Sequence, residues 1–217
     1  MATYRTLTDL PQRIPIFPLT GALLFPRGQL PLNIFEPRYL NMIDDAMSGE
    51  RLLGMIQPAP GATDKFAPDL SGVGCLGRIS SFSETDDGRY LIVLTGVCRF
   101  SVQRELDVRL PYRSVDADYG AFAGDLQEET ETAPGGRDDL IQALEGYLKR
   151  NKLRADWSEF GEAPIEALVH ALASACPFSP VEKQALLETP DLNTRLETLM
   201  ALLNMDAAGD DDEGWMQ

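Results

Sequence analysis

A chain of 217 residues that is 44% hydrophobic and 24% charged suits one large globular domain or two small ones, and no segment of it approaches the roughly 20 uninterrupted apolar residues of a membrane-spanning helix. Its net charge of −15 is unevenly placed: 12 Lys and Arg balance 12 Asp and Glu through Val115, whereas 7 face 22 from Asp116 onward. An acidic rear half repels polyanions, which counts against nucleic acid or an anionic membrane as the main partner.

Short β-type runs punctuated by Pro and Gly fill the front half: Ile14–Leu19, Leu30–Phe35, Leu52–Gln57, Val73–Phe82, Tyr90–Thr95, Cys98–Arg104 and Tyr112–Asp118. One helix interrupts them. It begins at Glu36-Pro37, where proline at the first helical position costs no hydrogen bond, carries Leu40, Ile43 and Met47 at helical spacing, and stops at Gly49. It is expected to plug one mouth of a barrel. Asp86-Asp87-Gly88-Arg89 is a tight-turn signal, so the runs on either side should pair antiparallel. Several strands of this length with little helix between them predict a closed or partly closed β-barrel rather than a parallel sheet with crossover helices.

Between Asp118 and Asp139 the chain is rich in Gly, Asp and Glu, too polar to pack, and reads as an exposed linker over residues 119–137. That linker separates a barrel domain over 12–118 from a helical bundle over 138–204. In the bundle, Leu140, Ile141, Leu144, Tyr147 and Leu148 form one apolar face, and Ile165, Leu168, Val169, Leu172 and Cys176 a second. Ser179-Pro180-Val181-Glu182 is a capping box with proline at its first helical position, and Leu192, Leu196, Leu199 and Leu203 form a last stripe. Residues 205–217, with Asp210-Asp211-Asp212-Glu213, read as a disordered acidic tail.

The search for chemistry returns little. No phosphate-binding loop, dinucleotide fingerprint, nucleophile elbow or H-E-x-x-H zinc motif is present. Cys75, Cys98 and Cys176 are far apart in apolar segments, which fits reduced core residues better than disulfides, and no ligand cluster suggests zinc. The only histidine, His170, sits on a helix among apolar positions and is read as facing out or lying at a helix contact. The carboxylate pairs Asp44-Asp45, Asp86-Asp87 and Glu128-Glu129 fall in helix faces, turns or the linker, where they read as solvated. No cofactor, metal or catalytic residue is therefore expected. Met1–Leu10 has neither the apolar core nor the cleavage site of a secretory signal, and a cytoplasmic location is the simplest reading. Lys149-Arg150-Asn151-Lys152-Leu153-Arg154 is the one dense basic run. Its plain reading is charge complementing a helix C-terminus; its sharper reading is an RNA contact, without the interleaved aromatics that stacking needs.

The run from Leu23 to Tyr39 is the most unusual. Prolines interrupt backbone pairing while aromatic and aliphatic side chains stay dense, which suits a strand edge or groove wall. Core and corner architecture is the plainer account, with Glu36 and Arg38 pairing across Pro37 to fix the strand-to-helix corner. The sharper account makes Phe25, Pro26, Phe35, Arg38, Tyr39 and Met42 a surface for exposed hydrophobic polypeptide segments.

Ile14-Pro15-Ile16-Phe17-Pro18-Leu19, Leu24-Phe25-Pro26, the Leu30–Tyr39 run, Gly74-Cys75-Leu76-Gly77-Arg78-Ile79, and Asp87-Gly88-Arg89-Tyr90 leading to Gly96-Val97-Cys98-Arg99-Phe100 together resemble the Lon N-terminal (LON substrate-binding) domain family. The resemblance spans about residues 12 to 204 and is closest to short, stand-alone bacterial members. It implies an α+β fold, a PUA-like β-pseudobarrel followed by a helical bundle. It also implies a non-catalytic module that engages unfolded polypeptide, acts as an adaptor beside a protease or chaperone, and takes part in subunit assembly, so an oligomer is among its expected states. ATPase and protease activity belong to other domains of Lon proteases and are not expected of this chain. The PUA-like architecture keeps an RNA-binding module as the alternative.

Overall fold

The structure, a computed structural model, describes residues 4–64, 67–127, 136–152 and 163–205. The chain divides into two compact units: residues 1–128 with 177–188, and residues 129–176 with 189–217.

The first unit holds one mixed sheet of six strands, β1 (Arg13–Pro18), β2 (Gln29–Ile34), β3 (Leu52–Pro58), β4 (Leu70–Glu84), β5 (Tyr90–Glu105) and β6 (Ser114–Asp118), in the order β2-β5-β4-β3-β1-β6. A further pairing of β5 with β6 closes the ring. Strand β5 makes this possible by its length of 16 residues: Tyr90–Thr95 pairs with β2, and Ser101–Glu105 pairs with β6. The result is a five-stranded barrel with β2 added at the edge.

One sequence expectation changes here. The separate strands Tyr90–Thr95 and Cys98–Arg104 are one strand, because Gly96 marks a close approach and not a break. A Cβ on Gly96 would collide with the Phe25 carbonyl oxygen. In its absence, the Arg27 amide donates to the Gly96 carbonyl at 2.8 Å and the Gly96 amide donates to the Gly28 carbonyl at 2.9 Å. The barrel also contains one parallel pair: β1 runs parallel to β3, with Ile16 opposite Gly54, and the chain from 19 to 51 supplies the long crossover such a pair requires.

The crossover contains α1 (Pro37–Ser48), whose residues Tyr39, Met42, Ile43 and Ala46 recur at one helical face and are buried. They join Phe17, Leu24, Ile34, Leu53, Ile92 and Leu94 in one apolar cluster. Ile14, Ile16, Ile56, Leu76, Phe100 and Val115 belong to a second. The alternation of β1, with Ile14 and Ile16 in one cluster and Phe17 in the other, follows the two-residue period of a strand.

Gly120–Leu126, expected to begin an unpacked linker, is a 3-10 segment with Phe122 and Asp125 buried. Asp125 is held because the Arg99 guanidinium pairs with it at 2.7 Å while the Arg99 amide donates to it at 2.9 Å. Residues 128–135, 153–162 and 206–217, and with them Glu128-Glu129, Leu153, Arg154 and the acidic tail, lie outside the described residues.

The helix entered through the capping box, here α4 (Pro180–Glu188), belongs to the first unit and not to the expected bundle. Gln57, buried in β3, accepts from the Gly21 amide at 2.8 Å and donates to the Pro180 carbonyl and to Gln184 Oε1, each at 3.1 Å. Gln184 in turn donates to the Val73 carbonyl at 3.0 Å, and Arg99 Nη1 donates to the Leu187 carbonyl at 3.0 Å.

Among the described residues, the second unit holds α2 (Gly136–Arg150), α3 (Ile165–Ala175) and α5 (Leu192–Met205). Leu140, Leu144 and Tyr147 of α2 are buried, as are Leu196, Leu199 and Leu203 of α5. His170 does not face solvent: it is 5% exposed, and its Nε2 lies 2.8 Å from Arg195 Nη1. Since the guanidinium has only donors to offer, Nε2 accepts and carries no proton.

Candidate functional site

Burial separates the residues singled out as a candidate polypeptide surface. Phe25, Pro26, Tyr39 and Met42 are interior, with Phe25 at 1% and Met42 at 0% exposure, and offer no surface to a ligand. Pro26 bridges to Gly96, and Tyr39 lies 4.3 Å from the Phe17 ring. Arg38 is half-buried, stacks on Tyr39 at 4.5 Å and reaches Glu36 at 3.0 Å across Pro37. Phe35 alone stands out in solvent, 62% exposed.

Phe35 has neighbours that sequence reasoning did not connect to it. Along β5, Ile92 and Leu94 enter the core, so Leu91 and Val93 point to the other face of the sheet. Leu91, 45% exposed, stands opposite Asn33 of β2 and Ser83 of β4, and Val93 stands opposite Pro31 and Ser81. Phe35 leaves β2 one residue past the Ile34–Tyr90 pair, and the Arg89 guanidinium lies 5.9 Å from its ring. The outer face of β2, β5 and β4 therefore offers apolar side chains among small polar ones. Strand β2 also has an edge unpaired among the described residues, but Pro31 lacks an amide hydrogen and blunts it for strand addition.

On the helix side of the same sheet, the adjacent acids of α1 each accept from a tyrosine. The Tyr90 hydroxyl donates to Asp44 at 2.9 Å, and the Tyr112 hydroxyl donates to Asp45 at 2.6 Å. Burial, then the bond to Asp45, pushes the Tyr112 phenol up to about 12. Asp45 and Tyr112 line an open cleft of about 210 Å³ together with Arg13, Ile14, Glu50 and Leu52. Both carboxylates are exposed, as the sequence suggests, and each in addition holds a tyrosine hydroxyl.

Burial holds the thiols of Cys75 and Cys98 protonated, Cys98 up to about 12, and Cys75, Cys98 and Cys176 are all unbridged and buried. Among the described residues no group of three metal-ligating side chains gathers, and no helix is long and apolar enough to cross a membrane. Lys149 and Arg150 fall in the last turn of α2, with Arg150 donating to the Leu203 carbonyl at 2.6 Å, as expected of cations at a helix C-terminus.

The model of the ATP-dependent protease La (LON) substrate-binding domain matches residues 13–205. The Lon protease of Desulfosudis oleivorans is 29% identical over 206 residues, and Lon protease 2 of Myxococcus xanthus 29% over 208. The alignments cover 92% and 90% of this chain but 24% of each relative. The fold is shared with a Lon N-terminal domain protein from Xanthomonas campestris, with a TM-score of 0.62 at 23% identity over 87% of this chain and 97% of that one. The N-terminal domain of Mycobacterium avium complex Lon protease gives 0.61 at 17% identity, over 88% and 98%. A barrel closed through β5, a helical second unit and a family match running through both establish that this chain belongs to the LON substrate-binding domain family.

Proposed function

We propose that the first unit binds apolar segments of unfolded polypeptide on the outer face of β2, β5 and β4, around Phe35 and Leu91, and serves as an adaptor presenting such clients to a protease or chaperone. The observation that carries this is the 62% exposure of Phe35 beside Leu91, at the one candidate of the Leu23–Tyr39 run that clearly faces solvent. Two large apolar side chains left in water are a standing source of association free energy, roughly 1.5–3 kcal/mol for each one fully covered. Against the cost of ordering a flexible client, this supports weak, reversible binding, roughly micromolar or weaker. Pro31 on the edge strand favours recognition by side chains over backbone pairing. The family's description as a substrate-binding domain agrees with such a client.

The test is fluorescence anisotropy with a labelled, carboxymethylated, permanently unfolded polypeptide. Replacing Phe35 by Ala and Leu91 by Ser together should weaken binding about tenfold, equivalent to ~1.4 kcal/mol, with an unaltered thermal melt. An unchanged affinity with an intact fold would remove this face as the binding surface.

A further inference from the structure

Four acids near strand ends have a basic partner: Asp87 with Arg89, Glu105 with Arg113, Asp116 with Arg104 and Glu36 with Arg38. Asp44 and Glu84 do not. Among the described residues neither has a cation within ion-pairing distance, yet both converge on one phenol. Asp44 accepts the Tyr90 hydroxyl, and Glu84 stands directly opposite Tyr90 in the β4–β5 ladder. The bond to Asp44, with the charges of Asp44 and Glu84 behind it, raises the Tyr90 phenol above its ordinary value. Beside this pair, Phe82 is 38% exposed and meets the Tyr90 ring edge-on at 4.9 Å between centroids.

Two aromatic rings flanked by two uncompensated carboxylates form a surface complementary to a cation carried on an apolar stem. The carboxylates supply charge, the ring faces supply quadrupole attraction, and Phe82 covers the methylene stem of a lysine or arginine. A small inorganic cation would find no rigid oxygen cage here, since Asp44 and Glu84 come from separate elements and both are exposed. The Ile34–Tyr90 pair sets this corner level with the end of β2 from which Phe35 projects on the opposite face, so a client that engages both passes around the strand end.

We propose that Asp44, Phe82, Glu84 and Tyr90 form a subsite for a lysine or arginine side chain of the polypeptide client, adjoining the apolar surface at Phe35 and Leu91. This rests on the polypeptide-binding reading above and narrows its client class to apolar segments bearing a nearby basic residue.

The experiment compares two labelled, unstructured peptides that share a Phe-Leu pair and differ only in one residue, Lys in the first and Gln in its twin. Each is titrated into the full chain, the Asp44→Asn/Glu84→Gln double variant and the Phe35→Ala variant. The native chain should hold the Lys peptide about fivefold to tenfold more tightly than its twin, and 0.5 M salt should shrink that ratio. The double variant should bind both peptides with the affinity of the native chain for the Gln twin. Equal affinities for the two peptides in the native chain, with both weakened by Phe35→Ala, overturn the cationic subsite and leave the apolar surface standing. A Lys preference that survives intact in the double variant places cation recognition elsewhere and overturns the assignment. Failure of either peptide to bind at all overturns the subsite and the polypeptide reading together. Both substitutions are isosteric and at exposed positions, and melts of the variants confirm that the fold is retained.

Discussion

Phe35 and Tyr39 stand four residues apart across the Glu36-Pro37 corner, and their environments are opposite: 62% exposed for Phe35, 6% for Tyr39. In sequence they look alike, since aromatic density around prolines says nothing about which ring turns inward. What decides is helix phase. The spacing of Leu40, Ile43 and Met47 marks one apolar stripe, but the face that α1 buries most deeply is Tyr39, Met42, Ile43 and Ala46, with Leu40 and Met47 only partly covered. Both stripes satisfy a helical period, and only the fixed entry at Pro37 selects between them. Tyr39→Ala should therefore behave as a core truncation, losing Phe17 and Arg38 contacts and leaving a cavity, at a cost of about 3–5 kcal/mol in chemical denaturation. A loss below about 1 kcal/mol would mean the ring is not part of the core. The neighbouring Glu36–Arg38 pair is partly solvated and contributes less than about 1 kcal/mol, so its role is to set the corner's shape.

At the level of elements, most strands were legible because alternation and turn chemistry are local signals: the Asp87-Gly88 turn does join β4 to β5, with Gly88 at φ 77°. The less legible features depend on partners distant in sequence. Gly96 reads as a strand break until the Phe25–Gly28 loop is seen lying against it, and Gly120–Leu126 reads as unpacked until Arg99 supplies the counter-charge for Asp125. Helix α4 shows the limit most clearly. Its start is written in the sequence: the Glu182 amide donates to Ser179 Oγ at 3.3 Å, and Glu182 returns the bond by accepting from the Ser179 amide at 2.7 Å. Which core the helix joins is not written there, because a short amphipathic stripe fits a bundle as well as a barrel. Ser179→Ala removes the hydroxyl acceptor and half of the box, and should cost about 1 kcal/mol. The loss should appear as faster amide exchange in the first turn of α4. Unchanged exchange there would show that Pro180 and the packed face define the start without the cap.

For the molecule as a whole, the interleaving of the two units makes the obvious domain boundary misleading. All six strands and both apolar clusters of the first unit precede residue 129, so a chain cut there holds every strand of the barrel. Yet Arg99, 1% exposed, is satisfied from two places: Asp125 and the Phe122 ring within the cut piece, and the Leu187 carbonyl outside it. Gln57, 2% exposed, likewise directs its amide hydrogens to Pro180 and Gln184. Removing α4 strips those acceptors from a buried guanidinium and a buried amide and leaves their desolvation uncompensated unless water enters, at about 1–3 kcal/mol for each group. Residues 1–128 alone should therefore unfold at lower denaturant than the same strands in the full chain, by several kcal/mol, and should bind a dye for exposed apolar surface. Far-UV circular dichroism and site-resolved amide exchange in β3 and β5 give the comparison. Restoring residues 177–188 through a flexible Gly/Ser linker should recover most of the loss, because the hydrogen bonds need the helix and not the segment that leads to it. If the truncated barrel is as stable as the full chain, water replaces the Leu187 and Gln184 contacts without cost, and α4 is an ornament on the barrel and not one of its walls.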